Sequence, residues 1–205
     1  MNEIVDDGGT ASPARAAIGD RVREKLNRNP LVSRIDSPHL EIYGRQDFLG
    51  AEECAVMRAI IDAGAQPSTL FTGRENADYR TSHSCNLDRE DPLVHAISAR
   101  ICAMTGLEPD HGETLQGQRY TQGQEYKVHC DYFPVNASYW PEMRKTGGQR
   151  NWTAMIYLSP VEGGGEGGCH GAGLCPPKRG PRGSAPTMRG CPSGSCLHGS
   201  THPCP

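Results

Sequence analysis

The sequence predicts an α+β chain in which helices come first and a sheet follows, and three observations carry that reading. Ahead of Gly106, apolar side chains recur at threes and fours. From Glu113 onward the apolar residues alternate and glycines punctuate the segments. The composition then breaks near Glu162, after which little remains that could pack a core.

Each element follows from local signals. Residues 14–27 read as a polar, partly amphipathic helix stopped by Pro30 after Asn29. Leu40, Ile42 and Tyr43 suggest a short strand. Residues 49–63 carry Cys54, Met57 and Ile61 at helical spacing, with Val56 and Ile60 beside them, and predict a second helix. Asp91 before Pro92 reads as an N-cap with proline at the first helical position, and Leu93, Ile97, Ile101 and Met104 continue the helix to Gly106. Strand-like segments follow at residues 113–120, 125–133 and 150–161. In the last, Trp152, Ala154, Ile156 and Leu158 alternate with Thr153, Met155 and Tyr157, as a strand with one core face requires.

The 205 residues suit one domain with an appendage. A mean hydropathy of -0.60 and the lack of an apolar run approaching ~18 residues argue against a membrane-spanning protein. The first twenty residues are acidic and lack an apolar stretch, so no secretory leader is expected, and a cytoplasmic location with reduced thiols is the reading for the nine cysteines. A formal charge of -3 offers no basic field, so neither nucleic acid nor membrane is expected as a partner. Oligomeric state is not legible.

The break near Glu162 divides the chain. Residues 163–205 hold 12 glycines and 7 prolines, against 13 and 9 in the 162 residues before, and contain no Ile, Val, Phe, Tyr, Trp, Asp, Asn or Gln. The expected organisation is an N-terminal helical extension over 1–37, an incomplete domain over 38–166 whose bounds follow the resemblance described below, and a Gly/Pro/Cys-rich tail over 167–205 that is disordered or out of frame.

The stretch Tyr126–Phe133 carries the chemistry. On a strand, residues two apart share a face, so His129 and Asp131 would project together while Cys130 points away. An imidazole and a carboxylate on one face are two of the three ligands that hold non-haem Fe(II) with open positions. Alone, H-x-D is a weak signal that reads more readily as a hydrogen-bonded structural pair.

Around it, Arg119-Tyr120, Gly123-Gln124, Tyr126, His129-x-Asp131-Tyr132-Phe133, Gly147-Gly148-Gln149-Arg150 and Thr153-x-x-x-Tyr157-Leu158 occur in one order. Arg80-Thr81-Ser82 with Cys85, and Gly112-Glu113-x-Leu115-Gln116, precede them. Together these resemble the prolyl 4-hydroxylase family of Fe(II)- and 2-oxoglutarate-dependent dioxygenases, over about residues 38–166. The resemblance implies a double-stranded β-helix, or jelly roll, flanked by N-terminal helices. It implies His129 and Asp131 as iron ligands, Tyr120 as the hydroxyl that reaches 2-oxoglutarate, Tyr126 and Arg150 as lining for a peptide groove, and residues 80–84 as a mobile loop over substrate. The implied activity is hydroxylation of peptidyl proline at C4, with 2-oxoglutarate converted to succinate and CO2 and with L-ascorbate keeping the iron ferrous.

Beyond Glu166 the pattern departs from the family. Gly164-Gly165-Glu166 and Pro177-Lys178-Arg179-Gly180 fit it, but the segments after them carry no strand signal and no following basic residue, so the last core strands are expected to be missing. Three readings of the tail stand: a zinc site from Cys169, Cys175, Cys191 and Cys196, a disordered tail, or out-of-frame translation of a G+C-rich gene, of which the last accounts best for the composition. His198 faintly resembles the third-ligand position. The rival to an active enzyme is a catalytically inactive remnant or peptide-binding module of the same fold.

Overall fold

The computed structural model describes residues 12–37, 41–70, 78–127, 129, 131–146, 148–159 and 194–201. Helix α1 spans Pro13–Arg28. Ser12 caps its N-terminus by accepting from the Arg15 N–H at 3.3 Å, Pro13 stands at its first turn, and Asn29 ends it ahead of Pro30. Its face is narrow, and Val22 and Leu26 are its buried residues. A small hairpin follows, β1 (Ser33–Ile35) antiparallel to β2 (Ile42–Gly44). Polar contacts tie it to α1: Arg23 Nε donates to Glu41 Oε1 at 2.6 Å, and the Tyr43 hydroxyl donates to Asn27 Oδ1 at 3.1 Å. Leu40, assigned to this strand from sequence, lies outside the described residues.

Helices α2 (Ala51–Gly64) and α3 (Pro92–Thr105) form the core's outer layer. Asp91 Oδ1 accepts from the N–H groups of Leu93 and Val94 at 2.8 and 3.1 Å, and Gly106, at φ 79°, closes the helix in the left-handed conformation that glycine adopts without a Cβ clash. Met57 and Ile61 of α2 and Val94, Ile97 and Ile101 of α3 bury together with Leu87, Leu115 and Leu158. The two helices are also clamped at their polar margin, where Arg100 bonds both carboxylate oxygens of Glu53 and the Phe48 carbonyl.

Beneath these helices lies a five-stranded antiparallel sheet in the order β3-β4-β5-β7-β6, formed by β3 (Gln66–Pro67), β4 (His83–Asn86), β5 (Gln116–Tyr120), β6 (Trp152–Tyr157) and β7 (Gly194–Thr201). Its two faces differ in chemistry. One carries Cys85, Ala154 and Ile156 against the helical core, and Gly117 there lets α2 approach so closely that a Cβ would lie 2.3 Å from Ile61 Cγ1. The opposite face carries Ser84, Gln116, Gln118, Tyr120, Thr153 and Met155, and Met155 is 41% exposed on it.

Several expectations are corrected. Among the described residues of 125–133, none stands in a strand. Tyr126 makes a single antiparallel bridge to Arg80, and the bonds Thr81 N–H to the Glu125 carbonyl and Lys127 N–H to the Tyr79 carbonyl, both 2.9 Å, end the ladder. Further along, side chains take the backbone groups: Gln149 Oε1 accepts from the Phe133 N–H at 2.6 Å, its Nε2 donates to the Phe133 carbonyl at 2.7 Å, and Arg150 takes the Asp131 carbonyl at 3.0 Å. With those groups satisfied, a strand partner is not required. Residues 80–84, expected as a mobile loop, are instead built into this ladder and into β4, with Ser82 at 1% exposure.

Between the segments read as strands at 125–133 and 150–161, where the sequence predicts no helix or strand, lies helix α4 (Trp140–Thr146). The tail, expected to supply no strand, supplies β7, which lies between β5 and β6 and pairs with both. Its placement follows from the backbone: β5 and β6 each present a row of N–H and C=O groups there, and any extended segment free of interior proline can satisfy both rows. Tail residues 160–193 lie outside the described residues, as do the four cysteines of the zinc reading except Cys196, which stands in β7. Among the described residues no helix is long and apolar enough to cross a membrane.

Candidate metal and co-substrate site

The segment beyond Tyr126 brings His129 and Asp131 together, and neither stands in a strand. Their facing atoms, Nε2 and Oδ1, are 3.6 Å apart, and the two side chains are 32% and 36% exposed. Each is held from behind. His129 Nδ1 lies 2.7 Å from the Lys127 carbonyl, so the ring proton belongs on Nδ1 and the Nε2 lone pair faces Asp131. The other Asp131 oxygen, Oδ2, accepts from the Thr153 hydroxyl at 2.6 Å. One nitrogen and one oxygen lone pair therefore converge on the same space, each with its remaining polar atom already bonded. This is the arrangement by which outer partners orient metal ligands, and the donor set suits a divalent iron. Among the described residues no group of three His, Cys, Asp or Glu side chains is assembled.

Aromatic rings fix the imidazole from the side. Tyr126 stacks on His129, Tyr79 meets Tyr126 edge-on at 5.9 Å, and the Arg80 guanidinium lies 4.8 Å from the Tyr126 ring centre. Burial raises the Tyr126 phenol above its ordinary pKa. The same Arg80 donates to Ser84 Oγ at 3.0 Å and to Gln116 Oε1 at 2.9 Å, so it joins the segment to the polar face of the sheet.

Arg150, expected to line a peptide groove, is engaged by partners within the protein. Its Nε and Nη2 donate to Glu113 Oε1 and Oε2 at 2.5 and 2.7 Å, its Nη1 donates to the Asp131 carbonyl, and its guanidinium lies 4.3 Å from the Phe133 ring centre. A guanidinium whose fork is occupied by a carboxylate and a main-chain oxygen is a structural clamp. Glu113 and Thr153, to which sequence reasoning assigned no part, are the residues that complete the surroundings of Asp131. The signal was present only as their places in Gly112-Glu113-x-Leu115 and Thr153-x-x-x-Tyr157.

Tyr120 stands at the end of β5 on the polar face, where its hydroxyl donates to Gln118 Oε1 at 3.0 Å. Gln118 is 6% exposed and its Nε2 lies 3.4 Å from Gln116 Oε1, so a row of polar groups runs along β5. The backbone register sets His198 of β7 opposite Gln116 on one side and Met155 on the other.

Comparison with known proteins shows what the chain is similar to. Residues 115–188 match the model of the 2OG-Fe(II) oxygenase superfamily, the segment that contains Tyr120, His129, Asp131 and Arg150. The chain is also similar to prolyl 4-hydroxylases. It is 38% identical over 125 residues to probable prolyl 4-hydroxylase 3 of Arabidopsis thaliana, covering 58% of this chain and 42% of that protein. It is 36% identical over 187 residues to prolyl 4-hydroxylase 1 of the same plant, covering 80% of this chain and 64% of that protein. The chain thus spans less than two thirds of the length of either relative. Among solved structures, a viral collagen prolyl hydroxylase from Paramecium Bursaria Chlorella virus-1, in its 2OG complex, aligns with a TM-score of 0.42 at 15% identity, over 86% of this chain and 90% of that one.

Proposed function

We propose that this protein is an Fe(II)- and 2-oxoglutarate-dependent dioxygenase that hydroxylates peptidyl proline at C4, releasing succinate and CO2. The observation that carries the reading is the convergence of His129 Nε2 and Asp131 Oδ1, 3.6 Å apart, in a chain similar to prolyl 4-hydroxylases. His129 and Asp131 would hold the iron, and His198, at its register position opposite Gln116 and Met155, is the candidate for the third ligand. Bound there, iron supplies the oxidising chemistry with dioxygen while the keto acid is decarboxylated.

The chain's own residues bind and orient. Tyr120 would exchange its bond to Gln118 for one to a carboxylate of 2-oxoglutarate, since a phenol on a half-buried sheet face is a suitable donor. A jelly roll is the fold this reading requires, its second sheet lying over the polar face of the first. Tyr126 would offer substrate proline the part of its ring surface that His129 and Arg80 leave open. L-Ascorbate would restore ferrous iron after turnovers uncoupled from substrate.

The test is succinate release from 2-oxoglutarate with Fe(II), ascorbate and a proline-rich peptide, with peptide hydroxylation read by mass. Peptide-stimulated turnover that is lost in His129→Ala and in Asp131→Ala supports the reading. Iron stoichiometry unchanged in both variants, by elemental analysis after chelator dialysis, would remove it. Metal uptake without turnover would identify a non-catalytic binding module.

A further inference from the structure

Asp131 belongs to no strand, so its own backbone pairing does not orient its carboxylate. Two residues at the entrance to β6 do so instead. Arg150, two residues before β6, donates to the Asp131 main-chain carbonyl at 3.0 Å and is itself held by both oxygens of Glu113. Thr153, the second residue of β6, donates its hydroxyl to Asp131 Oδ2 at 2.6 Å. That length is typical of a hydroxyl bonded to an ionised carboxylate. One grip fixes the backbone and the other fixes rotation of the carboxylate, which leaves Oδ1 as the oxygen that faces His129 Nε2.

We infer that Thr153 is a positioning residue for the metal-binding carboxylate: it occupies Oδ2 and so presents Asp131 as a one-oxygen ligand toward the space shared with His129. The inference rests on the metal reading under Proposed function and adds a determinant that no ligand motif contains. Its location is telling on physical grounds. Thr153 is exposed, and its side chain points to the face away from the helical core, where a hydroxyl adds nothing to packing. In a β-strand, threonine and valine are nearly equal in shape and both are favoured, while serine is poorer. A purely structural role therefore orders the variants Val, Thr, then Ser. A role through the hydroxyl orders them Thr and Ser together, then Val.

The experiment uses the full chain and Co(II) as the probe. Affinity is measured by competition with a chromophoric chelator, the ligand-field spectrum is recorded, and unfolding of the metal-free protein is followed in parallel. Thr153→Val is expected to bind Co(II) about 10- to 100-fold more weakly than wild type, the usual effect of removing an outer partner of a ligand. Its metal-free stability should be unchanged or higher. Thr153→Ser is expected to retain wild-type affinity and spectrum despite lower stability. Equal affinity in wild type and Thr153→Val, or affinities that follow stability across the three proteins, would overturn the inference while leaving the metal reading in place. Failure of the wild-type chain to take up Co(II) at all would remove both.

Discussion

The ring of Tyr126 lies parallel to the imidazole of His129, with centroids 3.5 Å apart and planes inclined by 15°. A stacked phenol fixes the plane in which the histidine lone pair lies, while the bond from Nδ1 to Lys127 fixes its rotation within that plane. A ligand with both constraints is ordered before any metal arrives.

Tyr126→Ala should therefore weaken metal binding by roughly two- to tenfold, the equivalent of an aromatic contact of about 0.5–1.5 kcal/mol, whereas Tyr126→Phe should leave it unchanged. Chelator competition measures both. If the ring serves only to hold substrate, Tyr126→Ala would raise the KM for peptide and leave metal affinity alone.

Arg150→Lys should destabilise the protein by about 1.5–3 kcal/mol, because an ammonium cannot reproduce the paired bonds to Glu113 and the bond to the Asp131 carbonyl. The two side chains are 17% and 27% exposed, so solvent screens the pair only in part. Urea unfolding at unchanged slope checks the value. A loss below about 0.5 kcal/mol would mark the pair as an ordinary surface contact.

Glu53 sets an acid limit. The Arg100 guanidinium, and after it the Gly50 N–H, lower its carboxyl from 4.5 to about 2. Between those values the unfolded chain binds more protons than the folded one, so stability contributed by Glu53 is complete above about 4.5 and is lost as pH falls toward 2. Glu53→Gln should flatten the acid unfolding profile in that window and leave its shape near neutrality unaltered. A profile parallel to wild type between pH 4.5 and 2 would show that Glu53 carries no such linkage.

Gly117→Ala should cost about 1–3 kcal/mol by overpacking, since its Cβ would meet Ile61 at 2.3 Å. Ile61→Val in the same chain keeps a branched Cβ in contact, while Ile61→Ala clears the space. The cycle should therefore show strong coupling for Gly117→Ala with Ile61→Ala, read from thermal midpoints. Strict additivity would mean that α2 shifts away freely.

Helices α2 and α3 and strand β6 were legible because each is specified within its own span: Asp91 and Pro92 start α3 chemically, Gly106 ends it, and Ala154 and Ile156 alternate inward with exposed Thr153 and Met155. The pairing of His129 with Asp131 was also legible, although the reason offered for it, a shared strand face, was not the one the structure uses. Phe133 and Asp131 are held by Gln149, Arg150 and Thr153, residues that lie well along the chain and announce no partner by spacing. Helix α4 was missed because a seven-residue helix shows too few turns for periodicity to register. Strand β7 was missed because it is defined by the gap it fills and owes little to its own composition.

That gap orders events in time. In a sheet arranged β3-β4-β5-β7-β6, the strand that joins the two halves follows both of them in the chain. As the polypeptide emerges, the β5 and β6 segments precede residues 194–201, the segment that bridges them. Assembly is thus closed by an insertion between distant segments, a step whose loop-closure cost makes it slow and leaves two adhesive strand edges open to other chains while it is pending.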